Sequence, residues 1–210
     1  MLYLRAEDFS QAARLAGTGL KRTPQDPQLN LTLGVARYGQ RRFEDAIGSF
    51  LRVIAIDPAI EQPYIFLGKM LDQAGPHLGE ITTACENWLK RSPNDPKPYL
   101  VLAKALLASE PRSARAEELL RRSIQLDAKD WEAHYQLGVL LETRRAYPEA
   151  AQQLQLSIAQ NPNEAMPHYH LARVYDRLGQ SDLAKAEREI HARLSAGKSS
   201  DGSAAESAKP

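Results

Sequence analysis

The residues of this chain best suited to chemistry are five histidines and one cysteine. His134 and His168 each precede a leucine by three residues, so they occupy matching positions along two successive helices. A shared zinc would need both rings at bonds of about 2.1 Å, whereas matching positions on neighbouring helices lie about 10 Å apart. Packing between helices is therefore the expected role of both. His168 and His170 point to different faces of a helix and chelate poorly. His77 and His191 have no matched partner in the sequence. Cys85 falls at a core position and reads as an inert buried thiol. A single cysteine also excludes an internal disulfide framework and a cysteine-rich zinc site. There is no glycine-rich phosphate loop, no His-Glu-x-x-His and no Gly-x-Ser-x-Gly. No catalytic residue, metal or cofactor is expected, and the chain is read as not an enzyme. Three basic pairs, Arg41-Arg42, Arg121-Arg122 and Arg144-Arg145, fall in two turns and one helix, and do not make one patch.

Composition narrows the partners. The chain has 210 residues, 27 basic against 26 acidic, for a net charge of +1. Balanced charge offers no broad basic face, so nucleic acid is not an expected partner. No run approaches the roughly 18 apolar residues that a membrane-crossing helix needs. The N-terminus lacks a charged segment followed by an apolar run, so it does not read as a secretory signal. Neither membrane insertion nor self-association is expected, and the cytoplasm is the default location.

The elements that position these residues are clearest from Trp131 to Pro162. Leu137, Leu140 and Leu141 recur at helical spacing, as do Ala150, Ala151, Leu154 and Ile158 after the break at Tyr147-Pro148. That predicts two amphipathic helices joined by a short turn. Gly138 lies inside the first of them at a cost of about 1 kcal/mol against alanine, so a neighbour must come too close for a side chain. Pro148 opens the second helix, where its missing N–H does no harm.

The pattern repeats. His134, Leu137, Gly138, Ala150, Leu154 and Pro162 are matched by Asn30, Leu33, Gly34, Ala46, Phe50 and Pro58, and again by His168, Leu171, Ala172 and Ala184. These residues resemble the tetratricopeptide repeat family, whose motif is a Leu-Gly pair, a later alanine, an aromatic four residues on and a closing proline. The resemblance implies an all-α fold, an α–α superhelix or solenoid of about five full helix-turn-helix repeats plus a partial N-terminal one. The repeats are read as 1–26 (partial), 27–60, 61–95, 96–130, 131–164 and 165–194, forming one solenoid from 1 to 194. In the partial repeat Tyr3, Phe9, Ala12 and Pro24 take the later slots. Its Leu-Gly slots would precede Met1, which reads either as a piece of something longer or as a short capping helix. The repeat 61–95 is degenerate, with Ile81 for the alanine, Cys85 for the aromatic and one extra residue in its inner turn at Gln73 to His77. Arg188 and His191 put polar groups in the last repeat's stacking slots, as a capping helix would. Residues 195–210 are rich in Ser, Ala, Gly and Lys, and are expected to be a disordered tail.

The resemblance implies a function too: a non-catalytic module that binds a partner segment in the concave groove lined by the first helices. The alternative is the interaction portion of a larger enzyme or a secretion or assembly protein whose other domain is absent from this chain. The inward slots hold Leu31, Ile65, Leu100, Tyr135 and Tyr169, then Thr32, Phe66, Val101, Gln136 and His170, then Val35, Lys69, Lys104, Val139 and Arg173. The family's clamp for a C-terminal carboxylate needs polar groups, asparagine among them, in these slots. They are largely apolar here, so that clamp is disfavoured. The expected site is Ile65, Phe66, Lys69, Leu100, Val101, Lys104 and Leu107, continued by Tyr135, Tyr169 and Arg173. It would take a protein or peptide segment that is apolar with some acidic character.

Overall fold

A computed structural model of the chain describes residues 6–203. Tyr3 and the last seven positions of the expected tail, 204–210, lie outside the described residues. Among the described residues all regular structure is helical: α1 (Ala6–Leu20), α2 (Pro27–Gly39), α3 (Phe43–Ile56), α4 (Gln62–Gly68), α5 (Leu78–Arg91), α6 (Pro96–Ser109), α7 (Ala114–Leu126), α8 (Trp131–Thr143), α9 (Tyr147–Gln160), α10 (Ala165–Arg177) and α11 (Ser181–Ser203). The chain divides into two compact units, Met1–Ser109 and Glu110–Pro210. The division falls inside the repeat 96–130, between α6 and α7, rather than at a repeat boundary.

Local chemistry starts these helices. Asp26 accepts from the Leu29 N–H at 2.9 Å and caps α2, with Pro27 at its first position. Asp130 does the same for α8, accepting from the N–H groups of Glu132 and Ala133 at 2.9 and 3.3 Å. Ser113 caps α7.

The small slots act as the sequence requires. A Cβ on Gly138 would sit 2.7 Å from Leu154 Cγ, and one on Gly34 2.7 Å from Phe50 Cε1. In both repeats the glycine lets the second helix's large residue press against the first helix's backbone. Leu137, Leu154, Phe50 and Ala46 are buried around these contacts.

The repeat 61–95 departs from this plan more than its one extra residue implied. Its first helix stops at Gly68 and gives way to two 3-10 turns, Leu71–Gln73 and Gly75–His77. Gly75, which precedes Pro76, takes a φ of +44°, a conformation only glycine enters readily. Met70, Leu71 and Ala74 turn inward and are buried. Gly68 faces Val101 of α6 instead of its own second helix, with a Cβ-to-Cγ1 approach of 3.3 Å.

In the second unit α11 continues past Ser195, where the tail was expected to begin, as far as Ser203. Ala184 on its first turns is buried.

Candidate functional site

Residues singled out for chemistry are first placed by their partners. The imidazole of buried His134 lies 2.8 Å from Gln153 Oε1 through Nδ1 and 3.2 Å from the Ala128 carbonyl through Nε2. Its slot has a shared task that the sequence reading missed. Asn30, Tyr64 and Tyr99 each donate to the carbonyl six residues back, of Pro24, Pro58 and Pro93, at 3.1, 3.1 and 2.9 Å. The slot therefore satisfies the last carbonyls of the preceding repeat. That all its occupants carry a hydrogen-bonding tip was the signal available. His168 differs: its Nδ1 lies 2.5 Å from Glu187 Oε2 on α11, and its buried Nε2 has no partner.

Cys85 is fully buried, and burial pushes its thiol up to about 12. It is not a nucleophile at neutral pH. Among the described residues no group of three or more His, Cys, Asp or Glu side chains is placed to hold a metal ion. The basic pairs are engaged separately. Arg42 bridges Asp45 at 2.6 Å, Arg121 reaches Glu117 and Glu149 at 2.8 and 2.6 Å, and Arg144 pairs with Glu117.

In the first unit, the expected partner-binding residues divide. Leu100 and Val101 are only 8% and 7% exposed and belong to the packing, not to an open face. Phe66 is half-buried. Its ring stacks on Phe50 at 5.0 Å with a 9° interplanar angle, and meets Tyr38 edge-on at 5.3 Å. Lys69 caps the shortened α4, with its ammonium 5.8 Å above that same ring. Lys104 and Leu107 are half-buried. Ile65 alone of the five apolar residues stays open, at 37%. The end of α4 at Gly68 accounts for part of this, since Gly68 then faces Val101.

In the second unit, the three expected residues come together on α8 and α10. Tyr169 is 39% exposed, and the Arg173 guanidinium lies over its ring at 5.6 Å. Arg173 Nε is 3.1 Å from Glu142 Oε1, and Glu142 Oε2 is 2.6 Å from His170 Nδ1. Tyr135 and Tyr169 both meet the His170 ring edge-on, at 5.7 and 5.3 Å. Burial is the largest cause that raises the Tyr135 phenol, with the Glu142 charge next. Glu142 and His170 were not chosen as site residues. Glu142 lies five residues past Leu137, outside the inward slots, and only its reach across to α10 reveals it.

A tetratricopeptide repeat family model matches residues 1–59 and 100–165, more than half of the chain. The matched stretches flank the repeat with the broken first helix. No curated relative matches the sequence. Among solved structures, a thermophilic tetratricopeptide repeat protein of Thermus thermophilus is 19% identical with a TM-score of 0.65, covering 81% of this chain and 98% of that one. The APC/C hetero-tetramer Cut9–Hcn1 gives a TM-score of 0.74 at 18% identity, over 90% of this chain and 37% of that one. YrrB, described as a tetratricopeptide repeat protein with an unusual peptide-binding site, gives 0.55 at 18% identity, over 87% of this chain and 93% of that one. Such identities speak to the fold alone. With the paired helices, the glycine contacts and this match, the chain belongs to the tetratricopeptide repeat family, whose fold is that of a protein–protein interaction module.

Proposed function

We propose that this chain is a non-catalytic interaction module whose α8–α10 face, at Tyr135, Tyr169 and Arg173, receives an apolar segment carrying a carboxylate. One observation carries the reading. The Arg173 guanidinium is 52% exposed yet held in place, over Tyr169 with its Nε against Glu142. Ordering a long side chain before the partner arrives removes much of the entropy that binding would otherwise cost. The outer edge of the guanidinium is the part that can accept a carboxylate in a forked pair. Tyr169 and Tyr135 supply aromatic area beside it. The Glu142–His170 pair beneath is the support that fixes the arginine's position.

The residues Ile65 and Lys69 extend the reading to the first unit as a weaker, separate contact, since Leu100, Val101 and Phe66 are engaged in packing. A photo-cross-linking phenylalanine analogue at position 169 tests the main site. It should capture one partner, and the capture should vanish when Arg173→Glu is added. A cross-link that persists with Arg173→Glu, or none at position 169, moves the function off this face.

A further inference from the structure

The first unit holds a cleft of about 760 Å³ between its second helices, α3 and α5. Leu51 and Ile54 form one wall, and Thr83 and Ala84 form the other. On the α5 side Gly79, Thr83 and Ala84 leave room in the middle of the cleft, flanked by Glu80 and Asn87. The lining runs along α5 from Gly79 to Arg91, about 18 Å at 1.5 Å per residue. That is the length of about three helical turns.

The charges are asymmetric along this length. Glu80 stands at the start of α5. Lys90 and Arg91 stand at its end. Lys90 makes no ion pair among the described residues. Arg91 donates only to neutral oxygens, the Pro58 carbonyl at 2.6 Å and the Tyr64 hydroxyl at 2.9 Å. Among the described residues, two cations without a carboxylate partner thus border an open cleft whose α3 wall is apolar and whose α5 wall carries the polar Thr83 and Asn87.

We infer that the α3–α5 cleft is a second docking site, for an amphipathic partner helix of about three turns with acidic side chains at the end lying over Lys90 and Arg91. The occupant is a helix because both walls are helices whose backbone groups are already bonded. An extended strand would find no backbone partners there, whereas a helix brings its own satisfied backbone. Its apolar ridge would seat between the α3 and α5 ridges. The carboxylates would set its direction, and a basic residue near Glu80 would reinforce that direction.

A phage-displayed library of helical peptides with one face randomised, panned on the full chain, tests this. Selected peptides should show an apolar i, i+3, i+7 ridge with Asp or Glu at one end. Synthetic copies, followed by fluorescence anisotropy, should bind the parent and lose about tenfold or more in affinity to Thr83→Arg and to Lys90→Glu. Both side chains are exposed, so the variants should keep the parent's circular dichroism. Tyr169→Ala should leave this binding unchanged, which separates the cleft from the α8–α10 face. Selected peptides that ignore Thr83→Arg and Lys90→Glu, or that fail on Tyr169→Ala instead, overturn the inference. A selection without a common pattern does so as well.

Discussion

The α4 and α6 residues of the first unit and the α8 and α10 residues of the second fill the same motif slots and meet opposite fates. Leu100 and Val101 are buried and Phe66 is stacked on Phe50, while Tyr169 and Arg173 remain open. Sequence slots mark where a residue sits on its own helix. Whether it is available depends on the regularity of the helix beside it. The repeat 131–164 keeps a thirteen-residue first helix and packs its glycine on Leu154. The repeat 61–95 has a seven-residue first helix and packs its glycine on the next repeat's Val101. A broken helix turns would-be ligand contacts into internal packing.

This contrast can be broken experimentally. Leu100→Ala should cost about 2–5 kcal/mol of unfolding free energy, as a buried leucine does. Tyr169→Ala should stay within about 0.5 kcal/mol of the parent. Urea unfolding of the pair checks this, and similar costs would erase the distinction between the two regions. Phe66→Ala should cost about 2 kcal/mol of stability, because its ring fills the space against Phe50 and Tyr38. A stable, fully folded Phe66→Ala would return that ring to the list of free contacts.

The glycines give a finer comparison. Gly138→Ala should destabilise by about 1–3 kcal/mol, because its Cβ meets Leu154 and must push it aside. Gly68→Ala should lie within about 1 kcal/mol of neutral, since a 3.3 Å approach to one methyl relaxes easily and alanine favours the helix. Thermal melts of the two variants give the order. The smallest effect concerns the inner turns. Arg41 and Arg145 hold φ values of +60° and +66°, whereas Gly179 holds +75° in the corresponding turn after α10. Arg145→Gly should therefore gain about 0.5–1 kcal/mol, read as a higher urea midpoint.

Much of the fold was legible because the motif residues act locally. Gly34 and Gly138 announced close helix approaches that Phe50 and Leu154 supply. Pro148 marked a helix start that stands where expected. Cys85 was legible as an inert thiol because its slot is a core slot. The break after Gly68 was not. One extra residue signals a longer turn, but not which residues leave the helix, and that depends on burying Met70, Leu71 and Ala74 together. The candidate site was half legible for the same reason. Tyr135, Tyr169 and Arg173 lie on regular helices, so slot arithmetic holds. Phe66 lies in the truncated α4 and Leu100 and Val101 lie on α6 beside it, and all three are taken up in packing. Glu142 and His170 were missed because their pairing joins two helices 28 positions apart in sequence.

The central claim is that the second unit presents a pre-ordered arginine on an aromatic face to a carboxylate-bearing partner. Isothermal titration of the partner captured at position 169 tests it most directly, with the parent set against Arg173→Glu and Arg173→Lys. The glutamate variant should lose about tenfold or more. The lysine variant, which keeps the charge and loses the forked pair, should show a smaller but clear loss. Circular dichroism should be unchanged in both. Equal affinity across all three proteins would contradict it.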